Sequence, residues 1–351
     1  MQKPISLKEI ARLADVSHPT VSRALKNSPL ISQSTGDRIR KIAAEHGYQP
    51  NRNARSLVTQ RSNFIGCVVT DIADPFISEV ISGVEQVAAQ HDYSIILTNS
   101  GGEPERETRA VRSLVERAID GVLVIAAMAG GEPSPYFSER EIPIVLINNQ
   151  HPGTFVHSIG VANFDGAEQI TQHLLEMGHR QIGYIGNRYG GQADKDRCRG
   201  CRAALKKAGV QYTSELVIHS ESSLDGGHRG MEQLLNLSAP PTAVFCYDDI
   251  TALGAYKAIR EAGLRVARDI SVAGFDDLFF SSYLEPSLTT IRQPMRQMGE
   301  QAIKLLLELV TSSRKGKKPK KAQIVIPGEL VIRESTSMPS LTHSQRTSRK
   351  S

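Results

Sequence analysis

From residue 64 to residue 273 the chain alternates short apolar runs with amphipathic stretches, and this alternation restricts its fold more than any other feature. Apolar runs of strand length stand at 65–69, 94–97, 121–125, 144–147, 182–185, 243–246 and 271–273. Between them, apolar residues at helical spacing predict helices near 77–90, 106–117, 166–177, 195–208, 224–237 and 250–261. Strand and helix in turn define an α/β body with doubly wound parallel sheets and helices on both faces. There are too many strands for one such sheet. Two lobes side by side are expected, with a ligand cleft between them at the carboxyl ends of the strands.

The texture ahead of this body is different. Residues 7–25 read as two helices joined by Ala14-Asp15-Val16, a turn too short for anything but a helix-turn-helix corner. Ile10, Leu13 and Ala14 share one face of the first helix, and Val21, Ala24 and Leu25 one face of the second. Ser17 is placed as an N-cap, and Pro19 falls in the first turn, where a missing N–H costs nothing. A third helix over 33–46 offers Ile39, Ile42 and Ala43 to a small core and ends at Gly47, while Gly36 weakens it without a visible reason. Such a pattern alone is often a plain helical hairpin. Charge decides between the two: residues 1–62 hold eleven Lys/Arg against four Asp/Glu, and residues 313–351 hold ten against two. Against a chain total of +5, the middle therefore carries −10. A basic head on an acidic body points to a polyanion partner for the head.

At 351 residues the chain exceeds one ordinary core and implies two or three domains. Its 40% hydrophobic and 23% charged residues are those of a soluble globular protein, and no apolar run approaches the ~20 residues of a membrane span. Met1-Gln2-Lys3-Pro4 leads straight into a polar helix, without the pattern of a secretory signal, so a cytoplasmic location is expected. Cys198 and Cys201 form a lone C-x-x-C inside a helix, at best half a zinc site, and read as two semi-buried thiols. Gly183-x-x-Gly186 and Gly190-Gly191 lack the spacing of a phosphate loop, and the histidines form no catalytic or metal-ligand pattern. His179 reads as a turn residue. Neither an enzyme nor a cofactor is expected.

Between head and body, Asn51 can cap a helix reaching about residue 58, with Ala54, Leu57 and Val58 as its apolar stripe and Arg52 and Arg55 flanking it. Eight residues fall well short of the ~12–15 that hold an isolated helix in water, so the segment is a flexible linker or folds only against another surface. A leucine on such a helix can wedge between base pairs from the minor groove.

The chain resembles the lactose/galactose repressor (LacI/GalR) family of bacterial transcription regulators from about Ser6 to Thr336. The motifs that carry the resemblance begin with Val16-Ser17-x-x-Thr20-Val21-Ser22-Arg23, Gly47-Tyr48-x-Pro50-Asn51, Ala54-Arg55-Ser56-Leu57 and Asp74-Pro75-Phe76. They continue with Gly178-His179-Arg180-x-Ile182, Ala252-Leu253-Gly254-Ala255, Gly274-Phe275-Asp276-Asp277, Leu288-Thr289-Thr290-Ile291 and Leu330-Val331-Ile332-Arg333-Glu334-Ser335-Thr336. The resemblance implies a homodimer on double-stranded, near-palindromic operator DNA. It places His18, Pro19 and Arg23 at base edges, Arg being suited to a bidentate grip on guanine. Ser17, Thr20 and Ser22 would touch phosphates. Asn51 and Arg55 lie on the hinge helix, and Leu57 matches its minor-groove wedge. Pro19 departs from the longer polar side chains often found there, so reading at that base must be apolar contact or shape.

For the body, the resemblance implies a small-molecule effector between two lobes of periplasmic-binding-protein type, held by Asp74, Phe76, Asn148, Arg197, Asp248 and Asp276. For isolated aspartates at strand ends the plain alternative is helix capping, and for Arg197 a solvated helix face. Carboxylates, an amide and one arginine suit the adjacent hydroxyls of a neutral sugar, polyol or nucleoside. Ser222 and Cys201 stand where some relatives place aromatic rings, which leaves Tyr247 and Phe275 as candidates for a flat apolar face. The expected domains are 1–50 (head), 51–62 (hinge helix and linker), 63–336 (effector-binding core) and 337–351 (disordered basic tail). Within the core, an N-lobe of about 63–162 and 292–322 faces a C-lobe of about 163–291 and 323–336.

Overall fold

The computed structural model describes residues 5–48, 61–126, 142–149, 157–315 and 322–340. The expected hinge helix, with Asn51, Arg55 and Leu57, and the end of the chain from residue 341 lie outside the described residues. Two compact units meet in sequence at Ser62 and Asn63.

The first unit is built of α1 (Leu7–Leu13), α2 (His18–Ala24) and α3 (Gln33–Glu45). Each helix starts on a serine. Ser6 and Glu9 form a reciprocal box at α1, the Glu9 amide donating to Ser6 Oγ at 3.2 Å and the Ser6 amide to the Glu9 carboxylate at 2.8 Å. Ser17 Oγ accepts the Thr20 amide at the start of α2, and Ser32 Oγ accepts that of Thr35 at α3. Asp15 turns the corner between α1 and α2 with a φ of 51°. Ile10, Ala14, Val21, Ala24, Ile39 and Ala43 close the core. Leu13, expected in that core, is 46% exposed at the end of α1. A Cβ at Gly36 would lie 3.0 Å from the Arg40 guanidinium, the far end of a flexible side chain. That guanidinium crosses the helix to donate to Ala24 O at 3.1 Å and Asn27 Oδ1 at 2.8 Å, tying α3 to the end of α2.

The second unit alternates strand and helix: β1 (Phe64–Val69), α4 (Pro75–Gln90), β2 (Ser94–Asn99), α5 (Pro104–Glu116), β3 (Gly121–Ile125), β4 (Ile144–Ile147) and β5 (His157–Val161). It continues with α6 (Asn163–Glu176), β6 (Ile182–Asn187), α7 (Gly191–Lys207), β7 (Val217–Ser220), α8 (Leu224–Leu235), β8 (Ala243–Cys246), α9 (Asp249–Glu261) and β9 (Ser271–Ala273). The last elements are β10 (Thr290–Arg292), α10 (Met295–Arg314), β11 (Ala322–Ile326) and β12 (Glu329–Val331).

Two parallel sheets result, ordered β11-β5-β4-β3-β1-β2 and β7-β6-β8-β9, and β10 pairs antiparallel with β12 apart from both. Buried on both faces by helices, the inner strands β1, β3, β4 and β8 read as near-continuous apolar runs. The first lobe packs Ile65, Cys67, Leu123, Val145 and Ile147 against α4 and α10, and the second packs Tyr184 and Phe245 against α6 and α7. The boundary expected at 322/323 needs correcting. β11 pairs in register with β5 from Ala322↔His157 to Ile326↔Val161, so the first lobe extends through Ile326.

The long helix α10 lies outside the predicted set. A Cβ at its Gly299 would sit 2.0 Å from Val80 O, and one at Gly83 of α4 would sit 2.1 Å from Arg296 O. The two glycines let α4 and α10 touch backbone to backbone.

Candidate functional site

In the head, the residues expected to read DNA lie on the first turns of α2 and its outer face. Ser17, His18, Pro19 and Arg23 are exposed, and Thr20 and Ser22 half-buried. Ser17 Oγ is engaged in the cap and pairs with Thr20 Oγ1 at 2.9 Å, which fixes both hydroxyls at the helix start. Arg38 serves packing, donating to Ala14 O at 2.9 Å, as Arg40 does at the end of α2. Lys8, Arg12, Arg23, Lys26 and Lys41 carry exposed positive charge on the unit's surface.

In the body, parallel strands put the residues that follow them at one edge of each sheet. Asp74 follows β1 and Asn148 follows β4 in the first lobe, while Asp248 and Asp276 follow β8 and β9 in the second. Asp74 is the N-cap of α4, its Oδ1 accepting the Phe76 amide at 2.9 Å. Asp248 is the N-cap of α9, Oδ1 accepting the Thr251 amide at 2.7 Å and Oδ2 the Ser222 hydroxyl. Two helices from opposite lobes thus begin on an aspartate, and their starts approach one another: Ile250 of α9 packs on the first-lobe core that contains Phe76. Burial pushes the Asp74 carboxyl up to about 6, opposed next by the Phe76 amide, which lowers it, and aided by the smaller effects of the Asp248 and Asp71 charges.

Arg197 is 2% exposed, and its fork is spent inside the protein. Nε donates to Asn163 Oδ1 at 2.9 Å, Nη1 to Tyr247 O, and Nη2 stands 3.7 Å from Asp276 Oδ1. The guanidinium lies 3.7 Å from the Phe275 ring centroid and 4.4 Å from that of Tyr247. Asp276 takes a φ of 120° and accepts the Gln293 side-chain amide. Burial drives its carboxyl well above the carboxylate range despite Arg197 beside it. Next to it, Asp249 is fully buried and accepts from the Leu278 amide at 2.8 Å, Ser281 Oγ at 2.7 Å and Thr290 Oγ1 at 2.6 Å; burial pushes it to about 7.

Several expectations need revising. Phe76 is 6% exposed and packs in the first-lobe core rather than presenting an open face, because its position in the first turn of α4 turns the ring inward. Phe275 is fully buried under Gly166 and Arg197, and Tyr247 is buried beneath the same guanidinium, so neither offers a free platform. Cys201 belongs to the second-lobe core, where burial raises its thiol to about 11. Asn148 holds a φ of 52° and donates its amide to Ile159 O at 2.8 Å.

Sequence reasoning passes over Gln293, which holds Asp276, and Asn163, which holds Arg197. It also misses Asp194, which accepts from Tyr184 Oη at 2.8 Å, the Asn187 amide at 2.9 Å and His219 Nε2 at 3.1 Å. Gln293 stands two residues beyond the motif Leu288-Thr289-Thr290-Ile291, a nearness that could have drawn attention to it. Between the lobes a cavity of about 530 Å3 is lined by Ala73, Pro75, Asp277, Leu278, Phe279 and Gln293, among others. Among the described residues no cluster of His, Cys, Asp or Glu could hold a metal ion, and no helix is long and apolar enough to cross a membrane.

The architecture has counterparts among known proteins. Residues 6–51 match the model of bacterial regulatory proteins of the lacI family, and residues 171–336 that of a periplasmic binding protein-like domain. The HTH-type transcriptional repressor CytR of Escherichia coli (strain K12) is 33% identical over 331 residues, covering 94% of this chain and 96% of that protein. The ribose operon repressor of Haemophilus influenzae is 32% identical over 334 residues, covering 94% of this chain and 98% of its own. A crystal structure of the Lac repressor dimer bound to operator and an anti-inducer superposes with a TM-score of 0.85 at 28% identity, covering 95% of this chain and all of that one. Relatives of this kind are transcriptional repressors and not enzymes. The chain belongs to the LacI family of bacterial regulatory proteins, DNA-binding transcriptional regulators with a helix-turn-helix head and a two-lobed ligand-binding body.

Proposed function

We propose that this regulator acts in the cytoplasm as a homodimeric repressor on a near-palindromic operator and answers to a small polyhydroxyl effector, a sugar, polyol or nucleoside, held between the lobes. His18, Pro19 and Arg23 read base edges in the major groove, and Ser17, Thr20 and Ser22 set the register on phosphates. Asn51, Arg55 and Leu57 act at the operator centre, Leu57 by wedging into the minor groove. In the body, Asp74, Asn148, Asp248 and Asp276 meet the effector, with Phe76 beneath them and Arg197 holding the second-lobe side in place.

One observation carries the effector reading. The only guanidinium among these residues already has Asp276, Asn163 and a backbone carbonyl as partners, so the charge left facing the cleft is negative. An anionic ligand would meet uncompensated carboxylates, whereas hydroxyl groups donate to them. The effector acts by its differential affinity for two arrangements of the lobes, and the sign of that difference sets whether it releases or strengthens DNA binding. A thermal-shift screen of sugars, polyols, nucleosides and anionic metabolites tests the reading. Stabilisation by neutral polyhydroxyl compounds is expected; stabilisation by anionic metabolites alone overturns it.

A further inference from the structure

The inter-lobe site has an excess of hydrogen-bond acceptors. Asp74 uses Oδ1 for the Phe76 amide, and no protein donor to its Oδ2 is found among the described residues. Among the described residues, Asp248 Oδ2 is met only by the Ser222 hydroxyl, a side chain that can rotate away. Gln293 is 4% exposed, gives its amide hydrogens to Asp276, and leaves Oε1 buried without a partner among the described residues. That oxygen cannot be satisfied by a ligand acceptor, nor by the Arg197 fork, which is already engaged. Gln293 and the two neighbours of Asp74 in sequence, Ala73 and Pro75, line the same inter-lobe cavity. Ile250 on the first-lobe core brings the Asp248 end of α9 toward this side.

Hydroxyl groups bring one donor each together with two lone pairs, and those lone pairs would face carboxylates and a carbonyl oxygen. A nitrogen with two or more hydrogens brings only donors to this direction when it is an ammonium, or when its lone pair is delocalised into an aromatic ring. We propose that the effector is a polyhydroxyl compound carrying an amino group, whose N–H bonds are divided between Asp74, Asp248 and the Gln293 side-chain oxygen. This rests on the inter-lobe cleft being the effector site, and it narrows the class of compound accepted there to aminosugars and nucleosides with an exocyclic amine. An ammonium has three N–H bonds for these three acceptors and an exocyclic amine has two, whereas an analogue with a carbonyl in its place offers a donor to none of them. Asp74 selects in the same direction: an amine between two carboxylates is held most tightly when both are ionised, so discrimination weakens as acid protonates Asp74.

Matched ligand pairs test the proposal on the full-length protein by calorimetry at pH 7.5: glucosamine with glucose, galactosamine with galactose, and each aminated nucleoside with its deaminated counterpart. For at least one pair the aminated member binds tighter by about tenfold or more, since a site built to accept an N–H rejects the analogue lacking it. Asp74→Asn and Asp248→Asn each keep an oxygen for the helix cap and reduce that preference to about threefold or less, with folding checked by circular dichroism. At pH 5 the wild-type preference shrinks. Unaminated members binding as tightly as their partners overturn the proposal and leave the cleft reading standing. If no member of any pair binds, the cleft reading itself fails and the proposal falls with it.

Discussion

Replacing Asp74 by asparagine should stabilise the effector-binding unit at neutral and alkaline pH, because the native fold holds this carboxyl where its charge is unwelcome. Burial and the facing Asp248 raise it from 3.8 to about 6, so the two states differ by about two pH units. At about 1.4 kcal/mol per unit, the ionised group costs the folded state up to about 3 kcal/mol above pH 6. Asparagine keeps the acceptor for the Phe76 amide and caps as well as aspartate does. It gives up the attraction of a negative charge for the start of α4, worth about 0.3–1 kcal/mol. The expected net gain at pH 8 is about 2 kcal/mol, or a rise in Tm of about 3–6 °C for a unit of this size. The pH dependence follows from the direction of the shift. The native protein binds the Asp74 proton more readily than the unfolded chain between about 6 and 3.8, so wild-type stability rises as pH falls through that window and is level on either side. The gain from Asp74→Asn should therefore be complete above about pH 6, shrink through the window and vanish below it. Urea denaturation followed by circular dichroism from pH 4 to pH 8 measures this. A loss of stability at pH 8, or a gain that ignores pH, would show that the Asp74 carboxyl is not held against its charge.

Three further substitutions probe other parts of the molecule. Gly83→Ala places a methyl group 2.1 Å from the Arg296 carbonyl oxygen, so α4 and α10 must separate at a cost of about 1–3 kcal/mol, and an unchanged urea midpoint refutes the backbone contact. His179 donates Nε2–H to Ser337 O at 2.8 Å and accepts from Thr242 Oγ1 at 2.8 Å, and burial holds its imidazole, like that of His173, below the ordinary value of 6.5. Stability from both is complete above about pH 6.5 and is lost as acid charges them, so His179→Gln should flatten the fall below that pH; a profile unaltered by the substitution counts against it. Arg23→Ala should relax base choice at one position per operator half-site, worth about 1–3 kcal/mol, and selection from random DNA that returns the wild-type consensus rules out a base contact.

How much is legible in the sequence depends on whether a residue's role is local. The strands at 121–125 and 243–246 stand out because burial on both faces leaves them apolar throughout. His157–Val161 and Val217–Ser220 are hard to see because each carries His and Ser among its few apolar residues, and Ala322–Ile326 because it is an exposed edge. Thr290–Arg292 and Glu329–Val331 are too short to show periodicity. Gly299 of α10 is explained only by a close contact with Val80, far away in sequence. Asp74 and Asp248 are readable as residues beyond strand ends that also cap helices, and Asp276 as a residue beyond a strand end. Asn163 and Gln293 are not, because each acts on another side chain, at separations of 34 and 17 residues. Tyr247 and Phe275 mislead for a related reason: their rings already hold a guanidinium, and nothing local in the sequence reveals that partner.

The adjacency of Asp276 and Asp277 joins the cleft to the strands that cross between the lobes. Both adopt positive φ, at 120° and 59°, so their carboxylates are directed by a strained turn rather than by a helix or sheet. Asp276 takes Arg197 and Gln293 as partners. Asp277 takes Arg292 of β10 at 2.7 Å and Arg333, two residues beyond β12, at 2.6 Å, and Arg292 reaches Glu329 at 3.2 Å across that antiparallel pair. The Asp276 amide donates to Ile291 O, and the Gln293 amide donates back to Asp276 O. A ligand that draws Gln293 away from Asp276 therefore pulls on a peptide pinned to both crossing strands. Exposed ion pairs are weak, but Asp277 is 8% exposed and Arg333 17%, so this clamp keeps its strength where a surface bridge would be screened. On the proposed effector site, lobe movement about these strands carries the turn with it, so that the occupant of the cleft and the angle between the lobes are expected to be coupled.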